Sequence, residues 1–356
     1  MEPARNKTRK LMVGNLAIGG GSPVSVQTMT KTDTRNVKDT IDQIRKLEEA
    51  GAELIRLAVK DEDAAKALVQ IRAATKLPMV ADIHLDYKLA LAALESKIDG
   101  LRINPGNIGA RWKVEEVVRA CKERKIPIRI GVNSGSLEKD LLQKYQGATA
   151  QAMVESAIRH AQILEEMDFF DIKISLKASD VLRTVEAYSL AAQSIPQYPL
   201  HLGVTEAGSI LAGSIKSSLG IGILLERGIG DTIRVSLTGD PVEEVRVGFA
   251  ILRNLGLRSG GLDIVSCPNC GRLEGEIASL VNDIEKEFAS YKNTVRIAVM
   301  GCSVNGPGES READIGVIAA GGDTMLFYES GKFVKKINRD EIISEIRLAL
   351  ERISSR

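Results

Sequence analysis

The residues best suited to chemistry lie near the C-terminus, in Cys267-Pro268-Asn269-Cys270-Gly271 and, roughly thirty residues later, in Gly301-Cys302-Ser303-Val304-Asn305-Gly306-Pro307-Gly308-Glu309. Two cysteines separated by two residues put both sulfurs on one side of a tight loop, and Cys302 follows a separate strand-like run, Val295 to Met300. Three thiolates can therefore converge on one point. Such soft ligands suit an iron-sulfur cluster or zinc, and a four-iron cluster or a tetrahedral zinc needs a fourth donor. No fourth cysteine is nearby: Cys121 sits far upstream among Arg119, Lys122, Glu123 and Arg124 on a predicted helix, where an inert small residue is expected. Glu309 is the best remaining donor, because Gly306-Pro307-Gly308 can turn it back towards Cys302. The histidines, His84, His160 and His201, all lie upstream of the cysteine region, which weighs against a structural zinc site. Oxygen binds iron less tenaciously than thiolate, so a carboxylate ligand favours catalysis over pure electron carriage.

A second constellation recurs earlier. Ile55-Arg56-Leu57, Leu101-Arg102-Ile103, Ile128-Arg129-Ile130, Ile172-Lys173-Ile174 and Ile233-Arg234-Val235 each set a basic residue between aliphatics. Side chains alternate along a strand, so each charge shares a face with Ala58, Asn104, Gly131, Ser175 or Ser236, while the aliphatics pack outward. Burying an unpaired charge costs several kcal/mol against a total stability of roughly 5 to 15 kcal/mol. Few acids match these cations, so a small polyanion, a phosphate or diphosphate ester, is the expected occupant. Asp82 and His84, Asn133 and Ser134, and Thr205 and Glu206 fall at ends of the same kind of run. Glu206 reads as a general acid or as a counter-charge to Lys173 or Arg234. His84 reads equally as a site residue or a core residue, His201 rather more as core, and His160, on a predicted helix, is expected at the surface. The loop Asn104-Pro105-Gly106-Asn107-Ile108-Gly109 offers backbone amides to phosphate oxygens.

The elements that position these residues follow from periodicity. Runs rich in Val and Ile at 24–29, 54–59, 79–83, 100–103, 126–132, 170–176, 200–204 and 232–237 alternate with helical patterns such as 61–75, 88–96, 113–124, 151–167, 178–193 and 241–255. This predicts a (β/α)8 TIM barrel over residues 1–256; an open doubly wound sheet would carry a glycine fingerprint that Gly19-Gly20-Gly21 and Gly220-Ile221-Gly222 do not supply. Residues 257–261 read as a linker, and 262–356 as a small α/β (α+β) module with strands at 262–266, 295–300, 315–319 and 325–328 and helices at 274–288 and 340–353. Lys and Arg number 48 against 47 for Asp and Glu, so bulk charge points to neither nucleic acid nor a membrane surface. The basic Arg5-Asn6-Lys7-Thr8-Arg9-Lys10 has no apolar run behind it, and few cysteines fit a reducing compartment, so a cytoplasmic location is expected.

Val26-Gln27-Thr28-Met29-Thr30, Ala81-Asp82-Ile83-His84, Arg102 to Gly109, Gly131 to Glu138, Cys267 to Arg272 and Met300 to Glu309 together resemble the 4-hydroxy-3-methylbut-2-en-1-yl diphosphate synthase family, in its short two-domain bacterial form. Thr28 stands where that family more often has serine. The resemblance implies reductive ring opening and dehydration of 2-C-methyl-D-erythritol 2,4-cyclodiphosphate by two electrons, in the non-mevalonate isoprenoid pathway. It implies a [4Fe-4S] cluster on Cys267, Cys270, Cys302 and a displaceable Glu309, with electrons from flavodoxin or ferredoxin. It also implies diphosphate binding by Arg56, Arg102, Asn104, Arg129, Asn133, Lys173, Arg234 and Ser236, with Ser175 and Thr205 in the same lining. Asp82 and His84 would orient the substrate, Asn305 would stand beside the cluster, and Glu206 would deliver a proton. A head-to-tail homodimer is suggested. The alternative is a barrel transferase for a phosphorylated or pterin substrate, with a structural zinc module.

Overall fold

The structure, a computed structural model, describes residues 5–268, 270–289 and 291–354, so Asn269, between two of the cysteines, lies outside the described residues. The chain opens with an antiparallel hairpin, β1 (Leu11–Val13) and β2 (Leu16–Ile18). Eight parallel strands follow: β3 (Ser25–Met29), β4 (Leu54–Ala58), β5 (Met79–Asp82), β6 (Gly100–Ile103), β7 (Ile128–Asn133), β8 (Ile172–Lys177), β9 (His201–Leu202) and β10 (Thr232–Ile233). Their order is β8-β7-β6-β5-β4-β3-β10-β9, and a parallel bridge between Ile174 and Leu200 joins the two ends. The expected barrel is therefore present, with β9 and β10 shorter than their apolar runs.

Helices alternate with these strands because short polar side chains start them cleanly: Asp61, Asp180 and Asp240 each accept a first-turn amide hydrogen. Aliphatic side chains on the outer strand faces, among them Ile55, Leu57, Ile103, Ile130 and Ile174, are buried in one core with those helices. The hairpin has a different task. Val13 and Ile18 pack with Leu54 and Val80, which point into the barrel, and so close its N-terminal end. The helix Ile210–Glu226 has no counterpart in the periodicity. It carries Gly213, Gly220 and Gly222 and is apolar nearly all round, with Leu211 and Ile215 exposed, so no polar stripe contrasts with a buried one.

The chain divides into two compact units, Met1–Arg258 and Ser259–Arg356. Arg258, inside the expected linker, is tied to the barrel by the Glu53 carboxylate and by the Val24 carbonyl at 3.3 Å. The second unit is a five-stranded sheet, β11 (Gly261–Ser266), β12 (Thr294–Met300), β13 (Ile315–Ala319), β14 (Thr324–Glu329) and β15 (Lys332–Asn338), in that spatial order. β11, β12 and β13 are parallel, and β14 is antiparallel to both its neighbours. Helices Ala278–Glu287 and Ile342–Ser354 bury Leu280, Ile284, Ile346 and Leu350 against it. None of the described helices is long and apolar enough to cross a membrane.

Candidate active site

Strand register decides which side chains meet inside the barrel. Asp82 is level with Arg102, Arg102 with Arg129, and Arg129 with Lys173. Since their aliphatic neighbours face the helices, Arg56, Arg102, Arg129 and Lys173 point inward, and none is more than 8% exposed. Asp82 anchors this ring. It takes Arg102 Nη1 at 3.0 Å and lies 3.5 Å from Arg56 Nε. Burial works to raise its pKa, but Arg56, His84 and Arg102 hold it well below the carboxylate range. Gly131 makes room for Arg102, since a Cβ there would overlap the guanidinium. Arg56 also donates to Met29 Sδ at 2.9 Å, and burial brings its pKa down to about 9.

Lys177 is the interior cation that the Ile-Lys-Ile pattern does not reveal, although it lies two residues beyond Ser175 on the same face. Burial, then Arg129, Arg234, Arg56 and Arg102, drive its pKa well below that of an ordinary lysine. Its Nζ is 3.4 Å from Nε2 of His201, which is fully buried. Lys173 sits lower. It lines a cavity of about 10 Å³ with Val13, Gln27 and Arg129 above the hairpin, and burial, then Arg129, lowers its pKa to about 7. Lys177 therefore stands four residues nearer the C-terminal end of β8 than Lys173, on the same face. Arg234 lies 3.6 Å from Glu244, whose other oxygen takes Lys31 Nζ at 2.9 Å. Neither Lys31 nor Glu244 lies on a strand, and no strand pattern points to them.

Six interior cations thus meet two contacting carboxylates, Asp82 and Glu244, among the described residues. Arg129 Nε and Nη1 and Lys173 Nζ have no hydrogen-bond partner. Uncompensated buried charge of this kind costs several kcal/mol, and a polyanion offsets it by charge-assisted hydrogen bonds. Around the ring, Asn104 and Ser175 are buried, and Asn133, Thr205 and Ser236 are half-buried. His84 reaches the rim, with its side chain 54% exposed, 2.9 Å from Arg102 Nη1 and 3.4 Å from Asp82. Glu206 is exposed and held at φ +52°, a region few residues with a Cβ adopt and one that collects at functional sites.

His160 corrects the sequence expectation. It is 5% exposed because it shares a helix face with Met153, Ala157, Ala161 and Leu164, and its Nε2 meets Glu138 Oε1 at 2.9 Å.

In the C-terminal unit, parallel pairing of β11 and β12 brings Cys267 and Cys302 to the same end of the sheet. The Cys267 N–H donates to Val299 O at 3.1 Å, and its Sγ lies 3.7 Å from where a Cβ on Gly301 would stand. The Cys270 loop is tied to the same place, since Glu274 N–H donates to Gly301 O at 2.7 Å and Ser303 Oγ to Glu274 Oε1 at 2.9 Å. Gly306 N–H donates to Cys302 O at 3.3 Å, starting the short helix Gly306–Arg311 that carries Glu309. Asn305 and Glu309 are exposed, Cys302 is buried, Cys267 half-buried and Cys270 exposed. Among the described residues no three His, Cys, Asp or Glu side chains are close enough to share one metal ion. A four-iron cube takes each ligand on a separate corner, so it suits donors spaced more widely than those of a single ion. Three free thiols and a carboxylate at one sheet end fit that group. Cys121 belongs to the barrel core, where burial pushes its thiol up to about 12.

Residues 8–249 match the family model of the GcpE TIM-barrel domain, and residues 263–352 that of the GcpE protein C-terminal domain. A protein of Thermodesulfovibrio yellowstonii is 56% identical, over 96% of this chain and 97% of its own. One of Geobacter sulfurreducens is 56% identical over 98% of both, and one of Clostridium perfringens 53% identical over 98% of this chain and 99% of its own. All three are named 4-hydroxy-3-methylbut-2-en-1-yl diphosphate synthase (flavodoxin). Among solved structures, the dihydropteroate synthase of Stenotrophomonas maltophilia aligns with a TM-score of 0.51 and 15% identity, covering 70% of this chain and 97% of that one. At that identity the likeness is one of fold alone.

Proposed function

The chain belongs to the GcpE family, and from that premise we propose that it is the oxidoreductase that opens 2-C-methyl-D-erythritol 2,4-cyclodiphosphate to 4-hydroxy-3-methylbut-2-enyl diphosphate. The observation that carries the reading is the ring of interior cations with too few carboxylates to balance it. A cyclic diphosphate is a compact polyanion of the kind such a ring binds. In this reading Arg56, Arg102, Arg129, Lys177 and Arg234 hold the phosphoryl oxygens, and Lys173 adds positive potential from below. Asn104, Asn133, Ser175, Thr205 and Ser236 supply neutral hydrogen bonds, and Asp82 and His84 fix the orientation of the ring arginines.

The reaction consumes two electrons, breaks the ring C–O bond to leave a terminal diphosphate, and expels a hydroxyl that takes a proton and departs as water. Glu206, at the C-terminal end of β9, is the proposed donor of that proton. Cys267, Cys270, Cys302 and Glu309 would hold a [4Fe-4S] cluster, with Asn305 beside it. When bound, such a cluster supplies single electrons to the substrate. The donor is flavodoxin, as the names of the relatives state for them, with ferredoxin the alternative. The working form is a head-to-tail homodimer in the cytoplasm, in which each C-terminal unit serves the partner's barrel. In heterodimers of a Cys302→Ser subunit with an Arg56→Ala subunit, one of the two sites should then be restored. The transferase alternative gains nothing from a likeness of fold.

The test is iron, acid-labile sulfide and zinc per chain after anaerobic purification and reconstitution, on wild type and Glu309→Ala. About four iron and four sulfide in the wild type are expected. About one tightly held zinc without sulfide would overturn the reading.

A further inference from the structure

His160 takes no part in the cation ring, yet it stands behind two of the loops that carry proposed substrate ligands. One is the turn after β6. Asn104 Oδ1 accepts from Gly106 N–H at 3.1 Å, and the Asn107 N–H returns to the Asn104 carbonyl at 2.9 Å. Gly106 backs onto the imidazole so closely that a Cβ there would lie 3.3 Å from His160 Nε2 and 3.4 Å from Asn104 Oδ1. The other loop follows β7 and runs from Asn133 to Glu138. Ser136 Oγ donates to Asn133 O at 3.4 Å, and the Glu138 carboxylate takes His160 Nε2 at 2.9 Å and Ser156 Oγ at 3.1 Å. A contact of that length to a carboxylate requires the proton to sit on Nε2. Burial works to raise the Glu138 pKa, but the His160 hydrogen bond and its companions hold it down at about 2, so the carboxylate is ionised.

We infer that His160 and Glu138 form a clasp that sets the distance between Asn104 and Asn133, and so acts as a positioning pair for substrate binding. The hydrogen bonds and ion pair of the clasp run to Ser156 and within the pair itself, not to the ring cations. Its effect reaches the site through Gly106 on one side and the Asn133–Glu138 segment on the other. Loops held only by their own turns sample more conformations, and restricting them beforehand reduces the ordering cost at binding. The clasp rests on the reading of the barrel as the cyclodiphosphate site.

The experiment measures equilibrium binding of the cyclodiphosphate to the oxidised protein, and kcat and KM under reduction, for wild type, His160→Leu, His160→Gln and Glu138→Ala. His160→Leu and Glu138→Ala remove the charge-assisted hydrogen bond and should weaken binding about tenfold. KM should rise in parallel while kcat changes less than about twofold. His160→Gln, whose amide can still donate to Glu138, should recover most of the affinity. Iron content and Tm should match wild type in the Gln variant. Should His160→Leu not fold, Glu138→Ala, altering a side chain that is 25% exposed against 6% for His160, decides the matter. Wild-type affinity in Glu138→Ala, or equal loss in His160→Gln and His160→Leu, would overturn the clasp. Failure of the wild type itself to bind would instead overturn the reading of the barrel.

Discussion

The barrel and the C-terminal unit hold their chemistry in opposite ways. In the barrel, the functional groups stand on strands, point inward and are fixed by register, with Asp82 level with Arg102 and Arg102 with Arg129. In the C-terminal unit the thiols stand on loops beyond strand ends, in three degrees of exposure, and Glu309 lies on a two-turn helix at the surface. On the proposed reading the difference follows from the two occupants. A diphosphate is recognised by many weak, directional contacts, which must be in place beforehand. A cluster is bound by a few strong bonds, which can draw loops together as they form. On that reading the barrel stores unfavourable energy before its ligand arrives, whereas the C-terminal unit would gain order from its own.

The largest expected effect tests the second half of that contrast. Cys302→Ser should remove the cluster and lower turnover by about 10³-fold or more, while affinity of the oxidised barrel for the cyclodiphosphate stays within about twofold. Iron analysis and equilibrium binding read the two separately.

Arg129→Met tests the first half. Arg129 has two nitrogens without partners in a fully buried setting. Replacing it by an apolar side chain of similar length should stabilise the ligand-free protein by about 1 to 4 kcal/mol, and lower diphosphate affinity by about 10- to 100-fold. Denaturation and binding should thus move in opposite directions. If both fall, the ring is a structural network and not a strained site.

The protonation of the ring gives a third handle. Lys173 has a folded pKa of about 7 against an ordinary 10.5. Between those values the unfolded chain holds a proton that the folded chain does not, so stability rises with pH across that window. Lys177 and Arg129, also pushed down by burial, act in the same direction. The ligand-free protein should gain up to a few kcal/mol from pH 7 towards 10.5, and saturating pyrophosphate, which favours the charged lysines, should flatten the rise. Thermal melts with and without pyrophosphate measure it.

The smallest effect concerns the remaining cysteine. Cys121→Ala should cost about 1 kcal/mol and leave iron and sulfide per chain unchanged, because Cys121 is a core residue.

Much of this contrast was legible before the structure. Arg56, Arg102 and Arg129 were readable because a charge between two aliphatics on a strand can face only one way, and the paired Cys267 and Cys270 because their spacing is itself a chemical statement. Lys177 escaped because its flanking residues, Leu176 and Ala178, extend the run past the repeated triplet. Glu244 and Lys31 reach their partners from a helix and a loop, and alternation along a strand carries no information about either. His160 departs from its pattern because a polar residue on a helix is usually solvated, whereas here its Nε2 is held by Glu138 inside the core. β15 carries no such signal, since five of the seven residues in Lys332–Asn338 form an unbroken exposed run, without the alternation that marks a half-buried strand.

The most direct test of the central claim is turnover by the reconstituted wild-type protein. The anaerobic enzyme, carrying about four iron and four sulfide per chain, is given the cyclodiphosphate and reduced flavodoxin. The account predicts one linear allylic diphosphate formed for every two flavodoxin electrons consumed, and none without reductant. Intact cyclodiphosphate after reduction of a fully loaded enzyme, or ring opening without electron uptake, would contradict it.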